Sequence, residues 1–165
     1  MPEEMNKIIS AISNKEIVER GSRLYYKGEL HGQNVVAVFS RWGKVAAATT
    51  ATNLILEFNV DRIVFTGVAG AISPDLNVGD IVIAERLFQH DMDARPLMRR
   101  FEIPLTGKTS FEIPEQTVET MTEAVHNFLK GDKEFRKILA EQNIVYPKLL
   151  KGDIASGDLF ISSTE

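Results

Sequence analysis

The sequence predicts an α/β fold in three layers, with helices flanking a mixed, mostly parallel sheet. Three observations predict it. Strand-like apolar runs alternate with segments of helical period along the chain. One run, residues 35–39, is almost wholly apolar, as in a strand covered on both faces. No linker or shift in composition divides the 165 residues, so they read as a single domain, long enough for one substantial core.

Met5, Ile8, Ile9 and Ile12 recur at i, i+3, i+4 and i+7, so the chain opens on an amphipathic helix ending near Asn14. Pro2 suits its first turn, where Glu3 and Glu4 set negative charge against the positive end of the dipole. Residues 24–30 and 35–39 form a hairpin that turns at residues 31–34. Residues 45–58 form a helix whose first half carries small side chains, which lets it lie close to a sheet. Residues 62–66 form a short apolar strand that breaks at Gly67-Val68-Ala69-Gly70, and a turn at 74–77 leads into a strand over 78–87.

Residues 89–114, with Pro96, Pro104 and Pro114, have no period and form a long loop; such loops are usually functional or disordered. Phe-Glu-Ile-Pro occurs in it twice, at 101–104 and 111–114, which at this length reads as chance rather than a repeat. Val118, Met121, Val125 and Phe128 mark one helix, and Phe135, Ile138 and Leu139 a second beyond a break at Lys130-Gly131-Asp132. Residues 149–161 form the last strand, interrupted at Gly152 and Gly157.

A doubly wound fold opens on a strand, whereas this chain opens on a helix and stops just after a strand that no helix covers. An uncovered last strand leaves backbone groups unpaired. Further sequence is therefore expected on both sides, supplying a first strand and a C-terminal portion.

The hydrophobic fraction of 44% and charged fraction of 25% are ordinary for a soluble globular protein. A net charge of −4 gives no electrostatic reason to expect nucleic-acid or membrane binding. No apolar stretch approaches the roughly 20 residues of a membrane helix, and the acidic N-terminus is unlike a secretory signal. The absence of cysteine removes disulfides, thiolate nucleophiles and thiolate metal sites, and fits a cytoplasmic location.

Three separated motifs carry chemistry. They are Ser40-Arg41-Trp42-Gly43-Lys44-Val45-Ala46-Ala47-Ala48; Thr66-Gly67-Val68-Ala69-Gly70 with Val78-Gly79-Asp80-Ile81-Val82; and Ser156-Gly157-Asp158-Leu159-Phe160-Ile161. Residues 66–70 would sit at the carboxyl end of a strand, where open α/β sheets bind ligands. Gly67 and Gly70 would there allow close backbone approach and positive φ; the plain alternative is a strand-to-helix turn. Phe160 and Ile161 could both be strand core, but alternation lets only one of them face a given side.

With the opening Met1-Pro2-Glu3-Glu4-Met5, these motifs resemble the purine nucleoside phosphorylase superfamily, specifically its methylthioadenosine/adenosylhomocysteine nucleosidase branch. The resemblance runs over nearly the whole chain. It implies a nucleoside phosphorylase-like fold, a homodimer, a nucleoside substrate, and no metal or other cofactor. It implies Glu4 as the carboxylate that holds and polarises the attacking water, with Glu3 its nearest competitor. It places Met1, Trp42, Val68, Ala69, Gly70, Phe160 and Ile161 around the substrate, with the Phe160 ring against adenine and the Ile161 backbone on the purine edge.

Two residues depart from the family pattern. Trp42 stands where an aliphatic residue is usual near the ribose or 5′ substituent, and Val68 stands where some members carry a hydroxyl. The family's catalytic Asp, in an Arg-x-x-Ser-Asp type motif, and its ribose-binding Met-Glu pair are absent from the 165 residues. Loss of a general acid costs about 10²–10⁴-fold, so the chain by itself is expected to be nearly inactive. His90-Asp91-Met92-Asp93 has the residue types of a metal site, but a hydrolytic site needs about three convergent protein ligands. The resemblance instead sends the Pro-rich loop, with Leu97, Met98 and Phe101, to the partner subunit's pocket. A nucleoside phosphorylase and a non-catalytic nucleoside-binding or storage protein are the alternatives on the same fold.

Overall fold

The first helix stops sooner than its apolar period implies. In the computed structural model, which describes residues 2–131, 133–142, 146–159 and 161 (residues 2–4 without their side chains), α1 spans Pro2–Ala11. The Ile12 amide still reaches the Ile9 carbonyl at 3.4 Å, while its side chain turns into the core at 4% exposure. The chain then enters β1 (Ser13–Arg20), a strand with no apolar alternation and almost wholly exposed. It is a strand because of its antiparallel ladder with β2 (Arg23–Leu30).

β2 is the centre of a β1-β2-β3 sheet whose third strand is Gln33–Val38. Gly21 and Ser22 join the first pair, with φ of 53° and 59°; His31 and Gly32 join the second, with φ of 51° and 78°. Positive φ at both central residues suits the tight hairpin turn that matches strand twist. Connections this short allow only antiparallel pairing. β3 is half-buried rather than covered on both faces.

Tyr25, on β2, is fully buried. Its ring stacks on Phe58 at 4.7 Å between centroids, and its hydroxyl accepts a hydrogen bond from Asn53 Nδ2 at 3.1 Å. Asn53 belongs to α2 (Lys44–Leu56), which starts after Gly43 at φ 87°. The Thr50 hydroxyl, buried at 3% exposure, reaches the Ala46 carbonyl at 3.0 Å and the Ser40 carbonyl at 3.2 Å, tying the helix to the segment that follows β3.

Gly28 lies where β2 passes the α1–β1 junction. A Cβ there would stand 2.4 Å from the Ser13 carbonyl oxygen and 2.5 Å from Ile12 Cγ2. Gly28→Ala is therefore expected to destabilise the protein by about 1–3 kcal/mol through overpacking. An unchanged thermal midpoint would show that the junction yields freely.

Residues 57–80 hold no helix or strand, so the strand expected over 62–66 is not formed. Val64 and Phe65 are 57% and 81% exposed. An apolar run becomes a strand only where a neighbour supplies hydrogen bonds, and no described strand pairs with these residues.

The chain divides at this stretch into two compact units, Met1–Ala69 and Gly70–Glu165. The second contains β4 (Ile81–Gln89), β5 (Ser110–Glu112), α3 (Glu115–Gly131), α4 (Lys133–Glu141) and β6 (Leu149–Ser156). Its sheet order is β5-β4-β6, mixed: β4 pairs antiparallel with β5 and parallel with β6.

β4 begins at Ile81 rather than at residue 78 because Asp80 ends the preceding turn. The Asp80 carboxylate accepts the Asn77 amide at 2.9 Å and the Lys148 amide at 2.7 Å, and the Ile81 amide donates to the Lys148 carbonyl at 2.9 Å. Those amides, Asn77 first, hold its pKa below the ordinary carboxylate value. Asp80 thus aligns the first rung between β4 and β6.

β5 interrupts the long loop. The two Phe-Glu-Ile-Pro copies adopt different structures: the first lies in turns, with the Ile103 amide donating to the Lys108 carbonyl, and the second runs through β5 to the Pro114 carbonyl that starts α3. Val118, Leu129 and Leu139 are the buried side chains of α3 and α4. Phe128 meets Phe135 at 4.9 Å, and Arg136 closes the end of α3 by donating to the Lys130 carbonyl at 2.8 Å. Among the described residues no helix is long and apolar enough to cross a membrane.

Candidate active site

In the first unit, Glu4 occupies the first turn of α1, which rests against β3. Its carboxylate, like the whole of Met1, lies outside the described residues. The segment after β3 carries Trp42, 78% exposed, its ring edge-on to Phe39 at 5.9 Å and 86°. The preceding Arg41, with φ 66°, turns its guanidinium to the Ser22 carbonyl in the β1–β2 turn. That cation is thus fastened to its own sheet.

Val68 is 87% exposed and Ala69 is exposed as well. Neither Gly67 nor Gly70 has positive φ, so the freedom that glycine allows there is not used. Nor does a described strand lead into residues 66–70. Glycine gives room at Gly67, where a Cβ would press on the Phe65 ring at 3.1 Å, but not at Gly70, where a Cβ would meet nothing within 4 Å.

In the second unit, the third motif departs from a plain strand. β6 ends at Ser156, so Ile161, 64% exposed, stands beyond it, where strand alternation does not reach. Phe160 itself lies outside the described residues.

What the structure brings together is residues 156–158 with residues 90–91. The His90 amide donates to the Ser156 carbonyl at 3.1 Å, and the Asp158 amide donates to Asp91 Oδ2 at 2.7 Å. Two residues on, Asp93 is engaged by Arg95 through a side-chain contact of 2.5 Å, and that guanidinium drives its pKa down to about 2. The carboxylates that gave residues 90–93 the look of a metal site are thus held by a backbone amide and an arginine. No group of three His, Asp or Glu able to hold a metal occurs among the described residues.

Sequence reading missed this joint because Asp91 and Asp158 are 67 positions apart. The one signal that could have found it is a glycine directly before Asp158, since Gly157 packs its backbone on the His90 ring.

Residues 1–165 match the family model described as the phosphorylase superfamily. Along all of its length the chain is 35% identical to the aminodeoxyfutalosine nucleosidase of Helicobacter pylori strain J99, covering 65% of that protein. It is 32% identical to the 5′-methylthioadenosine/S-adenosylhomocysteine nucleosidase of Staphylococcus saprophyticus, again covering all of this chain and 65% of the relative. Among solved structures it resembles the 5′-methylthioadenosine/S-adenosylhomocysteine nucleosidase from Neisseria meningitidis in complex with methylthio-immucillin-A. The TM-score there is 0.84 at 28% identity, over 99% of this chain and 64% of the other. The chain therefore spans a little under two thirds of the length of these relatives.

Proposed function

Since the chain belongs to the phosphorylase superfamily, we propose that the whole protein is a nucleosidase that cleaves the N-glycosidic bond of a 5′-substituted adenine nucleoside with water. The observation that carries this reading is the similarity, along the full length of the chain, to nucleosidases at 35% and 32% identity. The helix that bears Glu4 lies within that length.

In this reading water attacks the anomeric carbon while the bond from that carbon to adenine breaks. The electron pair leaves with adenine, which takes up a proton. Glu4 accepts the proton that the water loses. Its place in the first turn of α1 favours the ionised carboxylate that this step needs, because the helix dipole stabilises negative charge there. Phe160 stacks on the purine, an interaction worth about 1–3 kcal/mol per base in nucleic-acid systems, and the Ile161 backbone binds its edge. Trp42, Val68, Ala69 and Gly70 line the ribose and 5′ side, with Met1 near them.

Phosphorolysis would need a cation where water stands. Arg41, an arginine of the first motif, is instead bonded to the Ser22 carbonyl, which favours hydrolysis. Adenine release by the whole protein from methylthioadenosine, adenosylhomocysteine or aminodeoxyfutalosine is therefore expected to proceed without inorganic phosphate and to yield the free sugar. Release that depends on phosphate and yields a sugar 1-phosphate would overturn the proposal. The absence of cysteine and the exposure of Leu97, at 86%, support the remainder of the reading, a cytoplasmic homodimer in which the Pro-rich loop reaches the partner subunit's pocket. A monomer in sedimentation would remove that part.

A further inference from the structure

The end of the β4·β6 ladder is built differently from its start. The last rung joins the His90 amide to the Ser156 carbonyl at 3.1 Å. At the next opportunity a side chain takes over: Asp91 Oδ2 accepts the Asp158 amide at 2.7 Å. A carboxylate acceptor makes a shorter and stronger bond than a carbonyl does.

Between those two bonds lies Gly157. A Cβ there would stand 2.4 Å from His90 Nε2, 2.7 Å from His90 Cε1 and 2.9 Å from Asp91 Cγ. Three successive residues, 156–158, are thus held by residues 90 and 91 through a ladder bond, a close backbone approach and a charged acceptor. Phe160 and Ile161 follow Asp158 by two and three residues. A chain leaving a strand end is free to swing unless something beyond the ladder holds it, and the Asp91 carboxylate is one such hold.

We propose that Asp91 is a positioning residue: by holding the Asp158 amide it sets the course of the chain that leads to Ile161, whose backbone is assigned above to the purine edge. This rests on the assignment of Phe160 and Ile161 to adenine made above. It also gives the His90-Asp91 pair a use that the reaction itself does not.

The test compares Asp91→Ala, Asp91→Asn and Gly157→Ala in the whole protein. Asparagine keeps an acceptor oxygen and alanine does not. An alanine at 157 leaves Asp91 in the sequence but crowds the His90 ring and the Asp91 carboxyl, so that the joint must shift. Asp91→Ala is expected to weaken adenine binding and raise KM about 10-fold, the order of one hydrogen bond to a charged group, with a smaller change in kcat. Asp91→Asn is expected to stay within about 3-fold of the parent, and Gly157→Ala to follow Asp91→Ala. Hydrogen exchange at the Asp158 amide should accelerate in Asp91→Ala and not in Asp91→Asn.

Unchanged adenine affinity and KM in Asp91→Ala would overturn the proposal, as would a loss in Asp91→Asn equal to that in Asp91→Ala. If Asp91→Ala does not fold, the contrast between Asp91→Asn and Gly157→Ala decides in the same way. A parent protein that binds adenine without turnover would remove the function proposed above, while the adenine affinities still decide this inference. A parent that does not bind adenine overturns both.

Discussion

Glu4→Gln in the whole protein is expected to lower kcat for adenine release by about 10²–10⁴-fold while KM changes little. Glutamine has nearly the shape of glutamate and fits a helical first turn, so α1 (Pro2–Ala11) should persist. What it lacks is the ability to take a proton from water as the oxygen closes on the anomeric carbon. A loss confined to kcat marks an interaction made in the transition state rather than in the bound substrate. Glu3→Gln is the natural control, since it removes the same charge from the same end of the helix dipole. If Glu3→Gln carried the loss, the adjacent carboxylate would be the base. Turnover within about 3-fold of the parent in both variants would leave the hydrolytic reading without its base.

The largest effect on stability is expected at Tyr25→Ala, about 3–5 kcal/mol, the range for emptying an aromatic core position. Tyr25 is completely buried, stacks on Phe58 and accepts the Asn53 hydrogen bond. Truncation would therefore remove the contact that joins β2 to the end of α2 and leave the Asn53 donor without that acceptor. Tyr25→Phe keeps the ring and loses only the hydroxyl, so it should cost about 1 kcal/mol. Urea denaturation of both variants checks the pair. A loss under about 1 kcal/mol for the alanine would mean that the site collapses around the missing ring.

The helices were legible in the sequence because their period is carried by large side chains. Of the residues the spacing marks, Val118 in α3 and Leu139 in α4 are buried, while Phe128 and Ile138 are 45% and 39% exposed and the neighbouring Leu129 is buried instead. β2 and β3 were legible through their apolar content and the Gly at the turn between them. β1 was not, since Ser13–Arg20 is polar and exposed and is held by its ladder with β2, a property of the partner rather than of the segment. The opposite error arose at 62–66, where the apolar content of a strand is present and the pairing is not. The ends of β4 and β6 were misplaced for a shared reason. At each, an aspartate side chain, Asp80 or Asp91, takes a backbone amide that the ladder would otherwise have claimed. Side-chain bonds between distant positions have no local signature.

Of the candidate site, the sequence put Glu4 in the first turn of the opening helix, as in α1, whereas the exposure of Trp42 and Val68 was not legible in it. The motifs' residue types alone did not show that Arg41 would be spent on the Ser22 carbonyl, because that depends on a turn 19 positions away. Nor did they show that Ile161 would stand beyond β6 rather than within it.

Asp80 and Lys148 are 68 positions apart, and the bond between them forms at the first rung of the β4·β6 pair. Everything from β5 to α4 is enclosed by that closure. For a flexible chain the entropic penalty of such a loop rises only logarithmically, about 0.6 kcal/mol for each doubling of length, but it precedes any return from the parallel rungs. The first sheet meets no comparable penalty, since its neighbouring strands touch across Gly21-Ser22 and His31-Gly32. As folding problems the two sheets differ in kind: one assembles from what is adjacent, while the other waits on a partner that emerges from the ribosome much later.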